Sequence, residues 1–485
     1  MPLNEPLRLR LSAALTTHNT QRLPLFRKLH SYYRNPLTPN STSQHRWYSL
    51  AQQCSLPPRI NSANAAHREP VIENDIGWRI HTMVDFLFGK PISLRSAATD
   101  LPTARTIEST LDTIWERSGG TALLHDAALL AHIYGHIDLV LRIDPSLPRI
   151  NSLDQALDLI RIELVDPTRA VPILNSRDYR TLDALFVSAP PSVGSASPFA
   201  PARLIEMLNQ LRLSTTGRKG EAAWGDHPRD SSLTGELILP GSSLSLTSGR
   251  ASATHPSLIP NSPLPVVHIQ NSSQPFRYEG LSEVEPLIPL QDELNTRLSD
   301  RASRVTMQSF KMYLAKGLHG FDKSPVSPGV VWSTDNPDAS ISEFGGDSSS
   351  PSENAHIDEL RDALDKISGV PPIATGVVKA KIGNLSSANA LRITLMGVLS
   401  KTARKRVAYA HAITTLNSLI LDTLDAHHLL PTAPDQRTTR VDWSDPLPVD
   451  PEAALRAAEI KQRLGVPTER LLKELGYAPG DDVVA

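Results

Sequence analysis

The sequence predicts a mainly helical α+β fold, on three observations. Most of the chain falls into segments whose apolar residues step by three and four, the spacing of an amphipathic helix. Between them lie short runs of alternating polarity bounded by Gly and Pro, the spacing of strands. The 485 residues are 40% apolar, enough to build sizeable cores in two to four structural units.

Residues 1–70 combine a basic, helix-compatible start with polar stretches such as RNPLTPNSTSQHR, and predict an N-terminal arm or irregular lead-in. From Asn74, NDIGWRIHTMVDFLFGKPISL places Ile76, Ile80, Met83, Val84, Leu87 and Phe88 on one helical face, closed by Gly89 and Pro91. TIESTLDTIWERSG and GTALLHDAALLAHIYGH predict two further helices. IDLVLRID and DLIRIELVDPTRAVPIL turn to strand alternation. Residues 214–260 shift to Ser, Gly, Thr and Pro, which reads as hairpins with long loops or as a surface insertion. PVVHIQN is a strand.

A helix then runs from about Pro289 to Ser309, because Pro286 and Pro289 are tolerated only in or near a first turn. Leu287, Leu290, Leu294, Leu298, Ala302 and Val305 form its apolar stripe, and Asp292, Glu293, Arg297, Asp300, Arg301 and Arg304 lie elsewhere on it. KMYLAKGL, GVVWST and ISEF predict a small β unit. It carries Tyr313, Lys316 and Trp332, and stands before a second, acidic helix. In that helix Ile357, Leu360, Leu364 and Ile367 form the apolar stripe, and Glu353, Asp358, Glu359, Asp362 and Asp365 outnumber Arg361 and Lys366.

SGVPP stops the acidic helix, and a loop follows in which Gly376 and Gly383 bracket Lys379 and Lys381, with Asn384 just beyond. Ser386 and Ser387 are candidate N-caps for a helix of about 40 residues, roughly 60 Å long, in which Gly397 permits a bend. Its basic patch, Lys401, Arg404, Lys405 and Arg406, suits a subunit contact or an anion. His427 and His428 suit the negative end of the helix dipole.

Charge and composition narrow the function. Lys+Arg 49 against Asp+Glu 51 gives a net charge of -2, so any contact with nucleic acid is local or weak. The single cysteine, Cys54, excludes an internal disulfide and a multi-Cys zinc site. Neither a signal peptide nor a membrane span is recognisable, which predicts a soluble protein from a reducing compartment, where the sequons at Asn40, Asn271 and Asn384 carry no meaning. Neither an internal repeat nor a phosphate-binding loop, dinucleotide fingerprint, HExxH or GxSxG motif is present, and an enzyme is not predicted. His132 and His136 stand i, i+4 near His125, but no carboxylate completes a metal site, so neither a metal nor a cofactor is expected.

Four strings in a fixed order carry a family resemblance: VDFLFGKPI; PVVHIQN with YEGLSEVEPLIPLQDELNTRLSD; ISGVPP with GNLSSANALR; and VDWSDPLPVDPEAALRAAEIKQRLGVPTERLLKELGY. From about residue 70 onward the chain resembles the portal proteins of tailed bacteriophages, especially the siphovirus type. The resemblance implies a portal fold with wing, stem, clip and crown regions, assembled as a homo-oligomeric ring, usually a dodecamer. By segment it implies a wing over 71–280, a first stem helix over 281–309, a clip over 310–353 and a second stem helix over 354–369. A tunnel loop over 370–387, a long wing helix over 388–430, a wing return strand over 431–450 and a crown over 451–485 follow.

It further implies a channel at one capsid vertex of the virion, through which double-stranded DNA is packaged and ejected. Such a ring is assembled in the host cytoplasm among major capsid and scaffold proteins, and docks the terminase large subunit and a head-completion or adaptor protein. Lys379, Lys381 and Asn384 would face DNA. Glu353, Asp358, Glu359, Asp362, Asp365, Asp292 and Glu293 would make the stem acidic, and Tyr313, Lys316 and Trp332 would serve docking. The alternative is a capsid or scaffold subunit with no conduit.

Overall fold

Two helices open the structure, α1 (Glu5–Thr17) and α2 (Leu23–Arg34), joined without a break by a π-helical turn over His18–Arg22. This computed structural model describes residues 5–35, 37–39, 47–49, 71–144, 146–178, 181–188, 235–240, 242–247, 250–256, 264–309, 312–316, 336–344, 351–376, 388–447 and 451–465, with 468 and 471. The start of the chain is therefore not an irregular arm. Leu11 and Leu15 are buried in one core, and Phe26, Leu29 and Tyr32 in another. The π turn inserts residues that re-register the apolar stripe between these two cores, which a single 3.6-residue period cannot follow.

After the short antiparallel pair β1 (Leu37–Pro39) and β2 (Trp47–Ser49), α3 (Asp75–Phe88) begins where the Asn74 side chain accepts from the Gly77 amide. It buries all six apolar residues expected of it. β3 (Ser93–Ser96) leads to α4 (Leu101–Arg117), capped by Asp100, and α5 (Gly120–Tyr134) ends at Gly135 in a left-handed conformation. There β4 (His136–Ile143) starts. Only glycine suits this corner, since a Cβ on Gly135 would strike the carbonyl of Gly280, and one on Gly280 would strike that of Gly135.

The one-turn helix α6 (Leu153–Ala156) precedes β5 (Ile160–Val165), β6 (Ala170–Leu174) and β7 (Leu182–Ser188). Within the Ser-rich region lie β8 (Gly235–Leu239), β9 (Ser242–Thr247) and β10 (Arg250–Pro256), so its described part is hairpin. These extend an antiparallel sheet of order β10-β9-β8-β7-β6. A second sheet, of order β11-β4-β5, is completed by β11 (Val266–Gln270).

A 3-10 turn over Glu285–Leu287 leads into α7 (Ile288–Ser309), and the strands β12 (Met312–Lys316) and β13 (Ser340–Phe344) pair as a hairpin. Next come α8 (Pro351–Ser368), then α9 (Ala388–Thr394) and α10 (Met396–Ala426), which break at Leu395 beside Gly397. β14 (Thr439–Asp442) returns to pair with β3, and α11 (Pro451–Arg463) follows. The strand expected in GVVWST and the caps Ser386 and Ser387 lie outside the described residues, as does Cys54.

The main core lies where α3, α5, α10 and the sheet β11-β4-β5 converge. The buried side chains of Tyr409, Leu416 and Ile420 run along the inner face of α10. The Trp115 indole donates to Asn417 Oδ1 at 2.8 Å, and Asn417 Nδ2 donates to Thr439 Oγ1 at 3.0 Å, tying α4, α10 and β14 together.

Candidate functional site

The antiparallel pair α7 and α8, with the hairpin at its far end, is the part that the sequence singles out. The two helices meet along a narrow apolar seam: Leu294 and Leu298 against Ile357, Leu360 and Leu364. At the hairpin end Arg304 pairs with Glu353, and Arg301 donates to Asn354 Oδ1 at 3.2 Å. Farther along, His356 lies 3.7 Å from Glu293, which also pairs with Arg297 at 2.7 Å.

One stripe of α7 that looks exposed in the sequence is buried. Gln291, Asn295 and Ser299, four residues apart, hold the extended backbone of residues 71–75. The Val71 amide donates to Ser299 Oγ at 2.8 Å, the Glu73 amide to Asn295 Oδ1 at 2.9 Å and the Asp75 amide to Gln291 Oε1 at 3.1 Å. A chain segment with no strand partner there satisfies its amides on a helix instead. On α8 the stripe is shorter than its spacing predicts. Ile367 is 46% exposed, whereas Ile357, Leu360 and Leu364 are buried.

The acidic residues divide into two groups. Asp292 accepts from the Tyr32 hydroxyl at 2.9 Å, Asp365 pairs with the buried Arg79 at 2.5 Å, and Glu353 and Glu293 have the partners given above. These four link helices within the chain. Asp358, Glu359 and Asp362 stand exposed on α8. Lys379, Lys381 and Asn384 lie outside the described residues, as does Trp332. Tyr313 and Lys316 fall in β12, opposite Glu343 and Ser340, and Lys316 is exposed.

The basic patch on α10 is not one open surface. Lys401 Nζ donates to Glu283 Oε2 at 2.9 Å. Lys405 Nζ, almost fully buried, lies 2.9 Å from Oε1 of the same carboxylate as an ion pair. Arg406 donates to the Ser444 carbonyl at 2.9 Å and stands over the Trp443 ring. Only Arg404 of the four is exposed.

Burial alone would raise the Glu283 carboxyl, but Lys405 and Lys401 outweigh it and hold it at about 2. Burial lowers Lys405 to about 8 against the attraction of Glu283, and burial reinforced by Lys405 lowers the nearby His132 to about 3. Glu283 lies two residues before the turn that leads into α7, so this cluster ties the root of α7 to α10.

Beside it lies a second buried polar group that sequence reading missed. Asp138 Oδ1 accepts from the Tyr278 hydroxyl at 2.6 Å and sits 2.8 Å from His268 Nδ1, while His268 Nε2 faces the Tyr278 carbonyl at 2.8 Å. The His136 ring packs 5.5 Å from His268. The register that sets His268 opposite Asp138 across β11 and β4 is the only signal for it, and register is not written in sequence spacing. His132 Nδ1 lies 2.6 Å from the Ala128 carbonyl and His125 lies 3.6 Å from Asp85, so the three histidines do not converge. Among the described residues, no group of three His, Cys, Asp or Glu could hold a metal ion, and no helix is long and apolar enough to cross a membrane.

The sequence from β11 through α11 carries the family signal. Residues 261–477 match the phage portal protein family of the SPP1 Gp6-like type. The match covers a little under half of the chain and contains β11, the α7–hairpin–α8 unit, α10 and β14, so the portal resemblance read from the sequence is borne out. Portal proteins are structural and non-enzymatic, in line with the lack of a catalytic motif.

No curated protein matches the chain. Among solved structures, a chain in the virion of a native gene transfer agent particle is 13% identical, with TM-score 0.40, and the match covers 88% of this chain and 94% of that one. A chain in the neck of an empty gene transfer agent particle, computed with C6 symmetry, is 12% identical with TM-score 0.43, over 87% of this chain and 95% of that one. Another, in the neck of the native particle computed with C12 symmetry, is 14% identical with TM-score 0.39, over 87% and 99%.

Proposed function

We propose that the chain is the subunit of a portal ring, usually a dodecamer, at one capsid vertex of a tailed-phage virion, and that double-stranded DNA passes through its centre. The observation that carries the reading is the portal-family match lying over an antiparallel helix pair with a hairpin at its tip. In this reading α7 and α8 are the stem and the hairpin with the residues around it is the clip. α10 belongs to the wing, and α11 opens the crown.

The chemistry fits a conduit. A channel that moves duplex DNA must not hold it, and a row of Lys or Arg on phosphates would do so. The exposed face of α8 presents Asp358, Glu359 and Asp362 instead, which would repel the backbone and keep it centred. Lys379 and Lys381, with Asn384, would supply the transient phosphate contacts from the tunnel loop. Tyr313, Lys316 and Trp332 would meet the terminase large subunit during packaging and a head-completion protein afterwards. The energy for transport would come from the docked terminase.

Negative-stain images of the purified full-length chain test the reading. Rings with a central hole wide enough for a duplex, about 20 Å or more, are expected. Monomers, or compact oligomers with no hole, would overturn it in favour of a non-conduit capsid or scaffold subunit.

A further inference from the structure

A broad concavity of about 1210 Å³ lies between β11 and α10, floored by the strand and the segment after it and walled by the outer side of α10. Three large apolar side chains line it in contact with solvent: Val407 at 72% exposure, Leu281 at 50% and Ile367 at 46%. Phe276, 85% exposed, lies in sequence between the lining residues Pro275 and Arg277 with φ 63, a left-handed backbone that a bulky residue seldom adopts. Clustered exposure of this kind marks a contact surface more often than a bare face of a monomer. Arg277 and Arg404 add exposed positive charge to the same lining. Among the described residues β11 has a single strand neighbour, β4, so its outer edge opens toward the groove.

The opposite edge of that sheet has the complementary chemistry. There α4 packs on β5 and carries Glu108, Asp112 and Glu116 four residues apart, the last two exposed, with the exposed Leu101 at the start of the helix. Burial and the two flanking carboxylates raise the Asp112 carboxyl, a repulsion that a cationic neighbour would relieve. Of the cations on α4, Arg117 is engaged by Asp158 at 2.7 Å, and Arg105 is exposed one turn before Glu108.

A ring of identical subunits related by rotation joins two different surfaces of the chain, head to tail. We propose that the groove between β11 and α10 receives α4 of the neighbouring copy, so that Arg277 and Arg404 meet the neighbour's Asp112 and Glu116 around an apolar contact centred on Val407 and Phe276. This assignment rests on the ring reading above and names the surfaces that would close the ring. Like charges opposed across such a contact are strongly disfavoured, so reversing one side breaks it and reversing both restores it.

Native mass spectrometry of full-length protein provides the test, with Arg404→Glu and Asp112→Arg prepared separately and mixed. Both side chains are exposed, and thermal melts matching the wild type confirm that the variants fold. Wild type is expected to form rings, each variant alone to lose them, and an equimolar mixture to recover rings with an even number of subunits in strict alternation. Arg277→Glu with Glu116→Arg repeats the test should either first variant fail to fold. Rings that persist in both single variants, or single-variant losses that mixing does not repair, would overturn the pairing and leave the ring reading intact. A wild type that stays monomeric would overturn both.

Discussion

Acidic residues do opposite work in two regions of this chain. At the root of α7, Glu283 is buried between Lys401 and Lys405, where the two ammonium groups hold its carboxyl low and burial lowers Lys405. Along α8, Asp358, Glu359 and Asp362 stand exposed on a helix held mainly by one apolar seam. A buried ion pair holds only while both partners are present, whereas an exposed carboxylate adds little to stability and faces solvent. The first region is a joint, and in the proposed reading the second is a surface for DNA.

Several substitutions would break or sharpen that contrast. The largest effect is expected for Glu283→Ala, which strands the Lys405 ammonium in the core. It should lower stability by about 3–5 kcal/mol in urea denaturation, and a loss below about 1 kcal/mol would mean that water reaches the cluster.

Acid comes next. His132 is held neutral in the folded chain, at about 3 against 6.5 for an ordinary histidine, so only the unfolded chain takes up a proton as pH falls below about 6.5. His136, lowered to about 4 chiefly by burial, acts the same way. Stability should therefore fall as pH drops, by up to about 1.4 kcal/mol per pH unit for each histidine. Glu283 adds to the loss only below about 4.5, where the unfolded carboxyl begins to protonate while the folded one stays ionised down to about 2. The interval from pH 6.5 to 4.5 thus isolates the histidines, and His132→Asn should flatten the slope there.

Tyr409→Phe is a smaller test. The Tyr409 hydroxyl is buried beside Phe88 with no hydrogen-bonding partner among the described residues, so its removal should raise the urea midpoint, by about 1 kcal/mol in stability terms. The smallest effect on folding is expected from Asp358→Asn with Glu359→Gln and Asp362→Asn, within about 0.5 kcal/mol for each change. Those same changes should make an assembled ring retain duplex DNA more strongly at low salt, and unchanged retention would remove the acidic face from the mechanism.

Much of the fold was legible because it rests on local periodicity. α3 buries the six residues that its spacing nominates, α7 begins within a residue of the Pro-limited start, and the long helix breaks beside Gly397. The remainder depended on partners that periodicity does not name. Glu283 and Lys405 are far apart in sequence, and spacing alone reads Lys405 as one member of a basic patch. Gln291, Asn295 and Ser299 look like a solvated face until an extended backbone lies against them. The N-terminal helices were obscured by a π turn, and Ile367 falls on the apolar stripe by spacing yet opens into the groove.

A cryo-EM map of the purified, assembled chain, with α8 traced in each subunit, tests the central claim most directly. A closed ring is expected, with the face bearing Asp358, Glu359 and Asp362 turned toward the central channel. A ring with that face turned outward, or buried between subunits, would contradict it.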